Sequence, residues 1–263
     1  MPSVKTAAVI THGRDGVDDA IERLRAVAAK HDVELFLDGD SDAKPDIAIV
    51  LGGDGTMLRA LTRFLGTGVP VVGVNYGRVG FLTAIPADEL ESGIARVFAG
   101  DYRCIELATV EVSAGDTHAV AVNDVVVAGG TLGRMVELSY SIGGEELGVQ
   151  PCDGLICATP GGSTAYNLSN GGPVLVWGID AMVLTFVAPH TLHIRPLVVP
   201  RGAEVVVANL TPGMGATVLA DGHEVASLPT GADATIRIGE QHSVLATLPE
   251  VTFFRRYAAV FGR

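Results

Sequence analysis

Apolar positions follow two different periods along the chain. Through the first hundred residues, short unbroken apolar runs alternate with helical patterns. TAAVITHG (6–13) is expected as a strand and VDDAIERLRAVAAKHD (17–32) as an amphipathic helix with Ile21, Leu24 and Ala28 on one face. VELFLDG (33–39) and DIAIVLGG (46–53) read as strands, TMLRALTRFLGTG (56–68) as a helix ending at glycine, and VPVVGVNYG (69–77) as another strand. Near-continuous Val, Ile and Leu strands separated by helices imply an α/β N-terminal domain whose mainly parallel sheet is covered on both faces.

After DYRCIEL (101–107) the period becomes two. TVEVSAGDTHAVAVNDVVVAGG (109–130), MVELSYSIGGEEL (135–147), AEVVVANL (203–210), ATVLADGHEVASL (216–228) and DATIRIGE (233–240) alternate between Gly, Asp and Pro turns. That is the pattern of a β-rich, sandwich-like second domain. The tail LPEVTFFRRYAAVFGR (248–263) returns to helical composition. The expected division is residues 1–103 as an α/β domain, completed by the tail 243–263, and residues 104–242 as the β-rich domain.

The composition narrows the function classes. Of 263 residues 48% are hydrophobic, yet no stretch approaches the roughly 18 uninterrupted apolar residues of a membrane helix. The apolar run near the N-terminus is too short for a signal peptide, so the expectation is a soluble cytoplasmic protein. Three cysteines without a CxxC spacing suggest neither zinc nor a disulfide framework, and Cys157 reads as core rather than nucleophile. Thirty acidic residues against eighteen basic ones give a net charge of −12, which argues against nucleic-acid and anionic-membrane partners. Lys5, Lys30 and Lys44 are the only lysines; acid excess with so few lysines fits a salt-accumulating halophile or an ordinary acidic cytoplasmic protein.

Candidate chemistry gathers in glycine-rich strand ends. In IAIVLGGDGTMLRAL (47–61) a buried strand runs into Gly-Gly-Asp-Gly-Thr and then a helix. Open α/β sheets bind ligands at such strand ends, and the glycines admit a phosphate to the backbone. Asp54 has three readings there: it caps the helix starting near Thr56, it takes a proton from an attacking hydroxyl, or it holds Mg²⁺ against phosphates. VVGVNYGRVGFLTAIP (71–86) supplies a second such loop. CDGLICATPGGSTAYNLSNGGPVL (152–175) has more small hydroxyl and glycine residues than a core needs, with Asp153, Ser163, Thr164 and Tyr166 suited to a nucleotide. Walker A and G-x-G-x-x-G fingerprints are absent. His190 and His193 lack a third ligand of suitable spacing, so no metal site is assigned.

GGDGT (52–56), NYGRVGFL (75–82), ND (123–124), DGLICATPGGSTAY (153–166), APHTLHIRPLVV (188–199) and ADGHE (220–224) occur in the order found in the NAD kinase family, which the chain resembles over most of its length. GGDG alone is shared with diacylglycerol, sphingosine and 6-phosphofructokinases; the TPxGSTAY block with the downstream PHTL–RP is far more specific. The resemblance implies transfer of the γ-phosphoryl group of ATP to the 2′-hydroxyl of the adenosine ribose of NAD, giving NADP, with Mg²⁺ or another divalent cation. It makes Asp54 the general base and Gly55 the point of ribose approach, with Phe81 of the second loop among the residues that bind the dinucleotide. Asn123 and Asp124 match the family's Asn-Glu pair, the aspartate one methylene shorter. Asp153, Thr164, Ala165, Tyr166, Asn167 and Ser169 match the NAD-contacting loop, with Gly161 where a hydroxyl residue is usual. Ala188 opens the PHTL block, Arg59 and Arg134 fall where basic residues approach the dinucleotide, and Asp221 and His223 match the late turn. A dimer or tetramer is also implied. The competing readings are a GGDG-type lipid or sugar kinase and a non-catalytic dinucleotide sensor.

Overall fold

The computed structural model describes residues 3–11, 17–37, 44–77, 80–130, 134–191 and 193–262. Five stretches of the segments named above lie outside the described residues: 12–13 and 38–39 at two expected strand ends, Arg78–Val79 in the second glycine loop, Leu192, and Arg263 at the end of the tail. The chain forms two compact units, Met1–Glu106 with Ser243–Arg263, and Leu107–His242.

The first unit is α/β. Its elements are β1 (Thr6–Thr11), α1 (Val17–His31), β2 (Glu34–Leu37), β3 (Ile47–Gly52), α2 (Asp54–Arg63), β4 (Pro70–Asn75), β5 (Ile85–Pro86), α3 (Leu90–Phe98) and β6 (Arg103–Leu107). The sheet runs β2-β1-β3-β4, then the returning strand Ser243–Thr247, then β6, with β5 also on β4. Every pairing among β1 to β5 is parallel, as is that of the returning strand with β4. All six residues of β3 are buried, as a strand covered on both faces requires. Leu24, Val27 and Ala28 of α1 pack with Ile94, Val97 and Phe98 of α3 over Ile47, Ile49 and Leu51. Helix α3 is an element that the periodicity above does not predict. The chain closes with a helix, Phe253–Phe261, as the tail composition suggests.

Two features of this sheet position the site. Strand β1 has β2 on one side and β3 on the other, so the connections leaving β1 and β3 diverge, which is where open α/β sheets bind ligands. In addition, β3 and β4 pair with Gly52 opposite Asn75, and the Tyr76 N–H donates to the Gly52 carbonyl at 3.1 Å. The two glycine loops therefore leave the sheet side by side.

The second unit holds two six-stranded sheets. One runs Glu145–Cys152, Val136–Ile142, Val205–Asn209, Asp233–Ile238, Val110–Ala114, Thr117–Ala121; the other runs Leu197–Pro200, Ala181–Val187, Gly154–Ala158, Asp124–Gly129, Ala216–Ala220, His223–Leu228. All the pairings are antiparallel. Val112, Leu138, Val207 and Ile236 of the first sheet share one core with Val127, Leu155, Leu184 and Val218 of the second. Alternation such as that of Val205, Val207 and Asn209, inward while Val206 and Ala208 are half-buried, is what period-two sequence encodes.

Candidate active site

Asp54 is the first residue of α2. Gly53 takes the N-cap position with extended backbone, and no side chain caps the helix. The reading of Asp54 as a cap for a helix starting near Thr56 therefore does not hold: the helix begins at Asp54 itself. Its carboxylate instead crosses to the connection between β4 and β5, accepting the Phe81 N–H at 2.7 Å and the Leu82 N–H at 3.1 Å, one on each oxygen. A carboxylate has about four lone-pair positions, so both oxygens keep capacity for a further proton donor.

Gly80, a further glycine of the second loop, completes this contact. A Cβ on Gly80 would overlap both carboxylate oxygens and the carboxyl carbon of Asp54. Gly55 is exposed, with nothing within 4 Å of where its Cβ would sit, which leaves open space beside Asp54. Arg59, farther along α2, is exposed and donates to the Thr11 carbonyl at 2.8 Å, at the carboxyl end of β1. The Phe81 ring is buried, with centroids 5.9 Å from Phe253 and 5.5 Å from Phe261. Phe81 thus serves this site through its backbone N–H, and its side chain belongs to the aromatic packing of the tail.

The second cluster lies in the other unit, around the strand start at Asp124. Asp221, at φ +47°, accepts backbone N–H groups from Val122 at 2.8 Å, Asn123 at 2.7 Å and Asp124 at 3.3 Å. The carboxylate holds the chain entering that strand. Asp124 is buried, and burial first, then the Asp221 charge, pushes its carboxyl up to about 7. Cys157 is fully buried on the adjacent strand, its thiol raised by burial and by Asp124, so core rather than nucleophile is its place. Thr159 ties the motifs together: its N–H donates to the Asn123 carbonyl at 2.8 Å, its hydroxyl to the Val122 carbonyl at 2.7 Å, and it accepts the Gly162 N–H at 2.9 Å. His223, next to this turn, is exposed with Nδ1 3.1 Å from the Asp221 carbonyl.

From Gly162 to Ser169 the chain makes two short helical turns. Asn167 is fully buried, donating to the Ser163 carbonyl at 2.9 Å and the Pro173 carbonyl at 3.1 Å and accepting the Thr185 hydroxyl at 2.7 Å. Its amide braces the loop and is occupied on both its nitrogen and its oxygen. Tyr166 and Ser169 are exposed, while Thr164 and Ala165 are half-buried. Asp153 is exposed beside Val187, whose carbonyl accepts its N–H at 3.0 Å, and Ala188 follows at φ +44°. Arg134 is exposed two residues before the strand Val136–Ile142. The residues picked out in the first unit gather around Asp54; those of the second unit fall at the two ends of the paired strands Asp124–Gly129 and Gly154–Ala158, with Asn123, Asp124 and Asp221 at one end and Asp153, Ala188 and Arg134 at the other. Among the described residues no three His, Cys, Asp or Glu side chains converge as metal ligands.

Comparison with known proteins identifies this arrangement. Residues 6–102 match the family model described as the ATP-NAD kinase N-terminal domain, and residues 122–248 match the ATP-NAD kinase C-terminal domain. The chain is 39% identical over 227 residues to the NAD kinase of Gemmatimonas aurantiaca, covering 84% of this chain and 78% of that protein. It is 35% identical over 253 residues to the NAD kinase of Thermobifida fusca, covering 92% and 78%. The crystal structure of an NAD kinase from Archaeoglobus fulgidus in complex with ATP superposes with a TM-score of 0.81 at 28% identity, covering 98% and 97% of the two chains. With both domain models matched in order and relatives of this similarity spanning most of its length, the chain belongs to the NAD kinase family, whose phosphotransferase reaction makes NADP from NAD.

Proposed function

We propose that Asp54 is the general base of the reaction, with ATP as the donor. The observation that carries this reading is the Asp54 carboxylate, fixed by the Phe81 and Leu82 amides at the carboxyl end of β3 with lone pairs left over. A ribose hydroxyl is a poor nucleophile at neutral pH, and positioned proton removal contributes about 10²–10⁴-fold. The 2′-oxygen attacks the γ-phosphorus and its proton passes to Asp54. The new O–P bond forms as the bridge between the β- and γ-phosphates breaks, and the electron pair leaves with ADP.

Positioning supplies the rest, because phosphoryl transfer demands little covalent chemistry of the protein. Gly55 gives the ribose open room beside the carboxylate. Asn123, Asp124, Thr164, Ala165, Tyr166 and Ser169 contact the dinucleotide, the exposed Tyr166 ring as a stacking surface, while Asp153, at the opposite end of the paired strands, is supplied by a second copy of the chain in the proposed assembly. Ala188 and His223 border that site, and Arg59 and Arg134 draw the phosphates electrostatically. Asn167 and Asp221 contribute by holding the loop and strand that carry these groups.

A divalent cation fits this donor set as a guest of the phosphates. With no converging trio of ligands among the described residues, Mg²⁺ would be held by ATP oxygens and water, with a carboxylate such as Asp54 the most the protein adds, its usual mode of binding. When bound there it neutralises charge on the transferring group.

No helix among the described residues is long and apolar enough to cross a membrane; cytoplasmic residence, assembly into a dimer or tetramer, and salt adaptation of the acidic surface belong to the same proposal. The test is to supply NAD, ATP and Mg²⁺ to the purified protein in low and high KCl and read NADP with an NADP-specific dehydrogenase. The proposal expects NADP at a rate that rises with KCl. Phosphorylation of a lipid or sugar without NADP would overturn the substrate assignment, and full activity in dilute buffer with no gain on adding salt would overturn the salt adaptation.

A further inference from the structure

The base Asp54 is held by two backbone amides, and those amides lie in a segment, Gly80–Ala84, with no regular secondary structure of its own. What holds that segment is therefore part of the catalytic geometry. Its Ala84 N–H reaches the Gly73 carbonyl of β4 at 2.9 Å. The carbonyls of Phe81 and Thr83 face the other way, and both accept from one guanidinium nitrogen, Nη1 of Arg256, the Thr83 contact at 2.6 Å. Nη2 of Arg256 reaches the Thr247 hydroxyl at 3.4 Å, on the strand beside β4.

Arg256 is only 5% exposed, an uncommon place for a guanidinium, since a buried charge needs a specific arrangement to be tolerated. It sits one turn into the C-terminal helix, whose Thr252 cap accepts the Arg255 N–H at 3.3 Å. Phe253 and Phe261 of the same helix grip the Phe81 ring. Burial pulls the Arg256 guanidinium down to about 10 against the opposing attraction of Asp54, so it remains a cation at neutral pH.

We propose that Arg256 is the positioning residue for the general base: by clamping the Phe81 and Thr83 carbonyls it fixes the short stretch of chain whose Phe81 and Leu82 amides aim the Asp54 carboxylate. The inference rests on the base role proposed for Asp54. It assigns the C-terminal helix a function in the chemical step beyond closing the core. Arginine suits the task because a planar fork reaches two carbonyls and a hydroxyl together, which a lysine ammonium on its flexible stem does not reproduce.

The experiment compares Arg256→Lys and Arg256→Met with wild type by steady-state kinetics, thermal unfolding and hydrogen–deuterium exchange of peptides covering 80–84. Arg256→Lys keeps the charge and most of the volume, so it reports even where Arg256→Met does not fold. The expected result is a kcat lowered by about 10–100-fold, more in the Met variant than in Lys, with KM for NAD and ATP within about threefold. Exchange at 80–84 should quicken while other sheet segments are unchanged. A folded Arg256→Lys with wild-type kcat overturns the inference, as does a kcat loss matched by equal KM increases or by unaltered exchange at 80–84. Asp54→Asn run alongside separates the two levels: if it stays active, the base assignment fails; if it is inactive while Arg256→Lys is normal, only the role of Arg256 fails.

Discussion

Replacing Gly80 by alanine places one methyl group against the Asp54 carboxylate and changes no group that touches substrate. The added Cβ would lie closer than 3.0 Å to both oxygens and the carboxyl carbon, a separation real Cβ atoms essentially never show, whereas ordinary contact starts at 3.4 Å. Restoring contact distance means moving the carboxylate or the Phe81–Leu82 segment by about 1 Å. Asp54 is fixed to the start of α2 and its carboxylate is tied to that same segment, so either movement separates the carboxylate from the amides that aim it. A misplacement of about 1 Å costs roughly 100-fold in rate, or about 2.7 kcal/mol of activation free energy. Steady-state NADP formation at saturating NAD and ATP reads this as a fall in kcat, with circular dichroism and thermal unfolding checking that the sheet is intact. A folded Gly80→Ala enzyme with kcat within about twofold of wild type would refute the claim that Asp54 acts from the geometry seen here.

Two further outcomes follow from the second unit. Asp124 in the folded protein titrates near 7, against an ordinary 3.8 when unfolded, so the native state holds an extra proton between those values and stability falls as pH rises through them. A gap of about three pH units corresponds to at most about 4 kcal/mol, complete above pH 7. Chemical denaturation at about pH 5 and pH 8 should show that decline in wild type and a flatter profile in Asp124→Asn; equal slopes in the two proteins would contradict it. Asn167→Ala removes donors to the buried Ser163 carbonyl and the part-buried Pro173 carbonyl and the acceptor of the Thr185 hydroxyl, so urea unfolding should show a loss of about 2–4 kcal/mol together with a raised KM for NAD. A change below about 0.5 kcal/mol would mean the loop does not depend on this amide.

The two periods in the sequence correspond to real architecture for a physical reason. Strand β3 is apolar throughout because helices cover both its faces, and Val205–Asn209 alternates because only one of its faces meets the core. Helix α3 escaped the reading because LESGIARVF is one short stretch interrupted by a glycine, and that glycine is needed where the helix meets Ile85. Gly154–Ala158 and Ala181–Val187 lie inside the β-rich unit with unbroken burial up to Val187, so alternation could not reveal them. Within the site, GGDG announced Asp54, yet nothing local announced its partners. These depend on β4 lying next to β3, with Asn75 opposite Gly52, a fact of sheet order rather than of spacing. Asp221 and Asn167 each have a part in the fold that the sequence does not reveal. Polar residues in glycine-rich turns suit ligands and backbone amides equally, and only the folded chain shows both side chains turned to the protein itself. Arg256 lies in a tail whose composition reads simply as helix.

The most direct test of the central claim is the rate of NADP formation by Asp54→Asn, measured with NAD binding to the same preparation by calorimetry. Asparagine keeps the size of the side chain but cannot accept the hydroxyl proton as a base, and its amide can meet only one of the two loop N–H groups as an acceptor. The account predicts that turnover collapses by about 10²–10⁴-fold while NAD still binds. Turnover within about threefold of wild type, with binding intact, would contradict the assignment of Asp54 as the base.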